Sequence, residues 1–415
     1  HMWTRIIFVA VLFFLIDLYF FQAVKTVTQG FTVNKKSLTY CAFWSLTALS
    51  IGFGVAFNYL PSTGPWKGVR LYGMSILMMF MICKVLGVLP LLIDDIVRFF
   101  KLIVQLFIRE HGVDAGGKGI SRAKFLSQMA MVVAAIPLAT FLFGMMRGAF
   151  NYQIRKVSIK LPNLPESFKG FKIVQISDLH IGSFVSDSPL NTAFSMIADQ
   201  KPDVILFTGD LVNNRADEAE EFVEQLSSLS APEGVFSVLG NHDYGHYVKW
   251  KNDSERIANV EKLKLLQKDV GWKLLMNESH IFEKNGEKLA LIGIENWSSK
   301  MNFPKYGQLA KAHAEAADVP CKILMSHDPS HWEAETTEQF KDISLTLSGH
   351  THGMQFGIEI PGLKWSPIQY VYKQWAGLYQ KGDQYLYVNR GLGFIGYMGR
   401  VGIMPEITVV ELDRA

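Results

Sequence analysis

Four apolar runs within the first 150 residues constrain this chain more than any other feature. They cover approximately Trp3–Val24, Leu38–Leu60, Val69–Ile93 and Phe125–Met146. Each is long enough to cross a bilayer as a helix, which takes ~20 residues. A water-soluble bundle needs polar positions at helical spacing, and Ile6-Ile7-Phe8-Val9-Ala10-Val11-Leu12-Phe13-Phe14-Leu15-Ile16 offers none. The chain is 49% hydrophobic, and nearly all of the excess lies before residue 150. Residues 1–150 therefore read as a membrane domain of four helices and 151–415 as a separate globular domain.

The positions of Lys and Arg in the short loops set the expected orientation. The first loop carries Lys25, Lys35 and Lys36, and the second Lys67 and Arg70. The third is the densest, with Arg98, Lys101, Arg109, Lys118, Arg122 and Lys124. A cytoplasmic third loop places everything after residue 150 on the exoplasmic side, although Arg147, Arg155, Lys156 and Lys160 weigh the other way. Ser121-Arg122-Ala123-Lys124-Phe125-Leu126 reads either as a twin-arginine export signal short of its second arginine or as a basic membrane flank. Both leave the basic end in the cytoplasm. The expectation is a multi-pass protein of a bacterial inner membrane with a periplasmic globular domain. Asp17 and Lys84 fall inside spans, where ionisable groups are costly, and are expected to pair or to face the bundle interior.

A formal charge of +3 gives no argument for a nucleic-acid partner, and three cysteines make no disulfide framework. From residue 152 the pattern turns to short apolar strands alternating with polar, helix-like segments, the mark of a layered α/β domain. Five strands share one design. Lys172–Ile176 ends in Ser177-Asp178-Leu179-His180, and Val204–Phe207 in Thr208-Gly209-Asp210. Val235–Leu239 ends in Gly240-Asn241-His242-Asp243, and Lys322–Met325 in Ser326-His327-Asp328. Ile343–Leu347 ends in Ser348-Gly349-His350-Thr351-His352. Open sheets place ligand sites at carboxyl strand ends, and a core has no need of this bias. Gly209, Gly240 and Gly349 are expected to let the backbone turn sharply before each polar residue.

The set holds two carboxylates, one amide and four imidazoles, with one imidazole to spare in Asn241-His242-Asp243. Oxygen and imidazole donors without thiolate suit Mn, Fe or Zn. The number of donors fits two divalent ions sharing a carboxylate, an arrangement that activates water and clamps an in-line phosphoryl displacement.

The ordered motifs Asp178-Leu179-His180, Gly209-Asp210, Gly240-Asn241-His242-Asp243, His327 and Gly349-His350-Thr351-His352 resemble those of the calcineurin-like metallophosphoesterases, and most closely their membrane-attached bacterial branch. The resemblance spans most of residues 152–415 and implies a layered β-sandwich flanked by helices. It also implies a ligand set: Asp178, His180 and His352 on one metal, Asn241, His327 and His350 on the other, with Asp210 bridging them. His242 is left as the general acid, with Asp243 orienting its imidazole. The expected substrate is a phosphomonoester or phosphodiester, of a lipid or lipid-linked molecule, and the oligomeric state stays open. Two alternatives remain: a UDP-diacylglucosamine-type pyrophosphate hydrolase, which needs a cytoplasmic site, and a non-enzymatic membrane receptor that keeps the metal for structure.

His246, His280, His313 and His331 lack strand-end context and are expected on the surface or in packing. Arg390 and Arg400 flank the glycine-rich 391–396 segment and either hold a substrate phosphate or brace the loop. The Pro361–Tyr379 stretch carries Trp365, Tyr370, Tyr372, Trp375 and Tyr379, and is either a packed domain edge or an element at the membrane interface.

Overall fold

The computed structural model describes residues 2–57, 59–61, 64–107 and 121–415. The chain divides into two compact units, His1–Phe143 and Gly144–Ala415.

The first unit holds the helices α1 (Met2–Val27), α2 (Val33–Ala56), α3 (Lys67–Phe107) and most of α4 (Arg122–Met146), all long and apolar enough to cross a membrane. The helix α3 continues well past Ile93, through Pro90, so Arg98 and Lys101 are helical rather than in a loop. Asp94 favours this continuation, because its carboxylate meets Arg98 one turn on at 2.7 Å and Arg122 of α4 at 2.9 Å. Arg109 and Lys118 lie outside the described residues. Asp17 is wholly buried, 2.7 Å from Nζ of Lys84, and accepts the Thr47 hydroxyl. A charge in such surroundings persists when paired and hydrogen-bonded.

The second unit is built on fourteen strands. They are β1 (Gln153–Leu161), β2 (Lys172–Ile176), β3 (Val204–Phe207), β4 (Val235–Ser237), β5 (Trp272–Leu274), β6 (Glu278–Lys284) and β7 (Glu287–Gly293), followed by β8 (Cys321–Met325), β9 (Ile343–Ser348), β10 (Ile358–Ile360), β11 (Leu363–Trp365), β12 (Gly377–Lys381), β13 (Gln384–Val388) and β14 (Glu406–Arg414). One six-stranded sheet has the order β1-β14-β2-β3-β4-β5 and the other β12-β13-β9-β8-β7-β6, while β10 and β11 form a separate hairpin. The helices α5 (Ser188–Ala198), α6 (Val223–Ser228), α7 (Asp253–Asp269) and α8 (Leu309–Ala314) complete it.

Alternation along the strands sends Ile173, Val204, Leu206 and Phe236 of the first sheet against Leu291, Ile323, Leu345 and Leu347 of the second. The opposite face of β7 and β8 carries Ile292 and Leu324, which are covered by Leu309 and Ala312 of α8. Sheets buried on both faces read as continuous apolar runs, which is why these strands show no polar alternation. The result is the expected sandwich flanked by helices. Within it β2, β3 and β4 run parallel, as do β7, β8 and β9. Each parallel set delivers its carboxyl ends to one edge, and the polar residues follow there.

Candidate metal centre

The loops after the strands are tied in pairs. The backbone nitrogen of Asp178 donates to the Gly209 carbonyl at 2.9 Å, that of His180 to Asp210 at 3.1 Å, and that of Gly349 to His327 at 2.9 Å. The turns are strained: Asp178, His180, Asp210, His350 and His352 have φ of 52°, 46°, 59°, 71° and 50°. Left-handed backbone at non-glycine residues costs on the order of 1–3 kcal/mol each and gathers at functional sites. Gly209 shares this conformation at φ 98°. Gly240 and Gly349 do not; they are glycine because a Cβ would stand 2.2 Å from the Asp210 and Asp178 carboxylates. Close approach rather than sharp turning explains those two.

Two clusters result, each with its ligand atoms within 4.8 Å of one another. In the first, Nε2 of His352 lies 3.1 Å from Oδ1 of Asp178 and 3.0 Å from Nε2 of His180. In the second, Nε2 of His327 lies 3.1 Å from Oδ2 of Asp210 and 3.3 Å from Nδ1 of His350. Oδ1 of Asn241 joins the second cluster, 2.8 Å from His350 Nδ1 and 3.2 Å from His327 Nε2. Oδ2 of Asp210 also lies 3.6 Å from His180 Nε2, so one carboxylate oxygen faces both clusters.

The donor set tests well against two divalent cations. Imidazole nitrogens and carboxylate oxygens converge without sulfur, and outer contacts commit the rings. His327 Nδ1 donates to the Thr208 carbonyl at 2.7 Å, which leaves Nε2 as the free donor atom. His350 Nε2 meets the Tyr372 hydroxyl at 2.9 Å, which leaves Nδ1. Burial, followed by the neighbouring His352, holds His180 well below the ordinary imidazole value, which favours the neutral ring, whereas the Asp210 and Asp178 carboxylates overcome burial and push His327 up to about 10. Burial alone would raise Asp178 and Asp210, but the surrounding imidazoles hold both carboxyls below their usual range.

His242 stands apart. Its Nδ1 donates to the Asn213 carbonyl at 2.8 Å, its backbone nitrogen donates to Oδ1 of Asp210 at 2.8 Å, and its ring sits 4.9 Å edge-on to His180. Asp243 does not orient it, contrary to expectation. The Asp243 carboxylate turns inward and accepts backbone N–H bonds from Gly240, Asp210, Leu211 and Val212. Burial, and after it the Asp210 carboxylate, push this group up to about 7 in spite of those four donors.

Of the two readings of the arginines, bracing of the loop is the one their contacts fit. Arg390 is buried between Glu359 and Glu406, and Arg400 is spent on the carbonyls of Gly391 and Gly393 and on the His352 ring at 3.5 Å. Trp375 is packed beside Tyr372 and Ile403 rather than presented outward. His331 is buried between Ser326 and Glu335, His313 pairs with Asp342, and His246 and His280 join neither cluster. Sequence reasoning missed Asp328 and Tyr372, which together hold His350. Asp328 directly follows His327 at a strand end and was findable; Tyr372 carries no local signal.

The two units match two family models, one described as a probable calcineurin-like phosphoesterase transmembrane domain over residues 4–149 and one as a calcineurin-like phosphoesterase over 171–354. The metallophosphoesterase YkuE of Bacillus subtilis is 32% identical over 71% of this chain and 98% of its own length. A zebrafish (Danio rerio) transmembrane protein with metallophosphoesterase domain is 30% identical over 69% of this chain, which spans 62% of that relative. The UDP-2,3-diacylglucosamine pyrophosphatase LpxG of Chlamydia trachomatis is 28% identical over 56% of this chain and 81% of its own length. With the paired ligand clusters, the strained strand-end loops and four membrane-length helices, the chain belongs to the calcineurin-like metallophosphoesterases, hydrolases of phosphate esters, in a form with a transmembrane domain.

Proposed function

We propose that this chain is a bilayer-anchored hydrolase that uses two divalent ions of the Mn, Fe or Zn type to cleave a phosphomonoester or phosphodiester of a lipid or lipid-linked substrate. The observation that carries this is the single Asp210 oxygen facing both clusters with His242 unligated beside them. Asp178, His180, His352 and Asp210 would hold one ion, and Asp210, Asn241, His327 and His350 the other. Bound there, the ions would supply Lewis-acid charge and water activation. The protein residues do the rest. Asp243 fixes the loops, and His242, its Nδ1 committed to the Asn213 carbonyl, keeps Nε2 as the nitrogen that can give a proton to the departing oxygen.

Lipid chemistry is supported by the four membrane-length helices and by the lipid-linked pyrophosphate named for the chlamydial relative. Charge in the helix flanks favours an inner-membrane protein with the site on the periplasmic side, with Lys67 and Arg70 in the first turn of α3 at the sparser outer flank. A nucleotide-linked substrate requires the cytoplasmic face instead, so sidedness separates the two readings. The test is hydrolysis by the full chain in nanodiscs with Mn, Fe or Zn, comparing a phospholipid diester, a lipid monoester, a UDP-linked lipid and a water-soluble phosphodiester. Protease access to residues 151–415 in sealed vesicles is measured alongside. Turnover of the soluble ester alone, with no lipid ester cleaved, sinks the lipid reading.

A further inference from the structure

The hairpin of β10 and β11 is built inside out. Along β10 and β11 the charged residues Glu359 and Lys364 pair across the ladder; Glu359 is half-buried, while Lys364 is exposed and only its ammonium bends back to the protein. Glu359 accepts from Arg155 at 2.7 Å and from Arg390, and the Lys364 ammonium turns back over the Trp375 ring at 4.7 Å. The alternate residues Ile358, Ile360 and Leu363 stand outward with 44%, 59% and 48% of their surface exposed. A hairpin at a water-facing edge has the opposite alternation, because a one-residue change of face swaps every side chain between core and solvent. Single exposed apolar residues mean little, but three neighbouring apolar side chains exposed on one face of a hairpin whose charged groups are engaged by the rest of the protein do not arise from shortage of polar surface. At its edge the Trp365 indole donates to the Tyr370 hydroxyl at 3.4 Å, and Tyr370 is 77% exposed, the amphipathic pair favoured at a lipid–water boundary.

The root of the hairpin points to what covers it. The second unit begins at Gly144, inside the last turn of α4, a helix of membrane-crossing length. The Gly144 carbonyl accepts from Arg400 N at 3.2 Å, and the adjoining Val401 carbonyl accepts from Gly357 N at 2.9 Å, one residue before β10. The start of β10 is therefore joined through two hydrogen bonds, both within the second unit, to Gly144, the residue at which that unit begins. At its other side Ser366 donates to the carbonyl of Gly353, next to the ligand His352.

We propose that the β10–β11 hairpin is a membrane-docking element that seats Ile358, Ile360 and Leu363 in the lipid interface and so brings the metal centre to the bilayer surface. The partner is the lipid bilayer, entered to the shallow depth typical of interfacial apolar faces. Docking rests on the membrane anchoring of the chain and holds whether the substrate is a lipid or soluble.

The test uses the full chain carrying Cys41→Ser, in nanodiscs of phosphatidylcholine and phosphatidylglycerol, with a nitroxide placed by Ile360→Cys or Leu363→Cys. The remaining cysteines, Cys83 and Cys321, are buried. Lys268→Cys on α7 serves as the exposed control. Collision with oxygen is compared with collision with a water-soluble nickel chelate. The ratio of oxygen to nickel access at 360 and 363 is expected to exceed that at 268 severalfold, because oxygen partitions into the bilayer and the chelate stays in water. A ratio equal to that at 268 overturns the proposal, and so does exclusion of both reagents, which would mean that protein, such as a second copy of this chain, covers the face. If the labels report lipid while wild-type protein cleaves only soluble esters, docking stands and the lipid-substrate reading falls. If they report water while lipid esters are cleaved, docking alone falls.

Discussion

Oδ2 of Asp243 lies 2.9 Å from the backbone nitrogen of Asp210, so a residue outside both clusters fixes the loop from which the carboxylate that faces both of them projects. The same oxygen accepts from Gly240, and Oδ1 accepts from Leu211 and Val212. Asp243→Asn replaces one of these oxygens by an amide that faces N–H groups, leaving buried donors unsatisfied. The expected loss is ~1–3 kcal/mol of stability, and metal affinity should fall ~10–100-fold as for other outer-sphere changes. Metal content by elemental analysis, with thermal unfolding of the detergent-purified protein, checks both. Unchanged values in the variant would remove Asp243 from this role.

The same reasoning applies to His350. Its Nε2 bonds the Tyr372 hydroxyl at 2.9 Å, and that hydroxyl donates to Oδ2 of Asp328 at 3.1 Å. Tyr372→Phe leaves only the Asp328 carboxylate at 3.4 Å to hold the ring. Metal affinity, read by competition with a chromophoric chelator, should drop ~10-fold in Tyr372→Phe and further in Asp328→Asn. Equal affinities in wild type and both variants would show that the ring is held by packing alone, for instance by Phe303 at 4.9 Å.

Which of these features the sequence discloses follows from range. Asp178, His180, Asp210, Asn241, His327, His350 and His352 all follow apolar strands directly, so a strand-end reading collects them and the parallel order of β2, β3 and β4 brings three of the loops together. The four membrane-length helices are equally plain, since composition alone marks them. The contacts that orient the ligands are not local. Arg400 reaches His352 across 48 positions and Asp243 reaches Asp210 across 33, and no spacing rule reports such separations. Asp243 was misread for that reason: adjacency to His242 suggested a partner, but neighbouring residues in a tight turn point to different sides. Arg390 and Arg400 stay open in the sequence between holding a phosphate and bracing the loop, because the burial that commits them to Glu406 and to backbone carbonyls is a property of the fold.

Glu218 gives a pH prediction away from the metal ligands. Its carboxylate accepts backbone bonds from Asn213, Asn214 and Arg215, yet burial pushes it up to about 7. An acid raised in the folded state binds more protons folded than unfolded between its unfolded value of ~4.3 and about 7. Its contribution is therefore fully present below ~4.3 and is lost as pH rises through 7. Between pH ~5 and ~8 wild type should lose about 1–3 kcal/mol more stability than Glu218→Gln. Parallel melting-temperature profiles for the two proteins would rule this out.

In the membrane unit, Lys84 and Asp17 form a buried pair at 2.7 Å. Lys84→Met strands a buried carboxylate with only the Thr47 hydroxyl, which should cost ~3–5 kcal/mol. The double variant Asp17→Asn with Lys84→Met should recover most of that loss, because desolvation of both charges is removed together. Thermal unfolding in detergent measures both, and a double variant no more stable than the single one would assign Asp17 a role beyond pairing.

His242 is the residue on which the enzymatic reading can fail. With Nδ1 committed to Asn213, a proton on Nε2 is the one it can release toward the site. Donation matters only where the departing oxygen is basic, so the loss in His242→Ala should depend on the leaving group. For an alkyl phosphodiester kcat should fall ~10²–10⁴-fold, the usual worth of a positioned acid. For a p-nitrophenyl ester, whose phenolate departs unaided, the loss should be small. Metal content should not change, since the imidazole stands outside both ligand clusters. Equal losses on both esters accompanied by lost metal would make His242 a ligand or a structural prop instead. Full activity on both would leave the bond between Asn213 and His242 with no catalytic purpose.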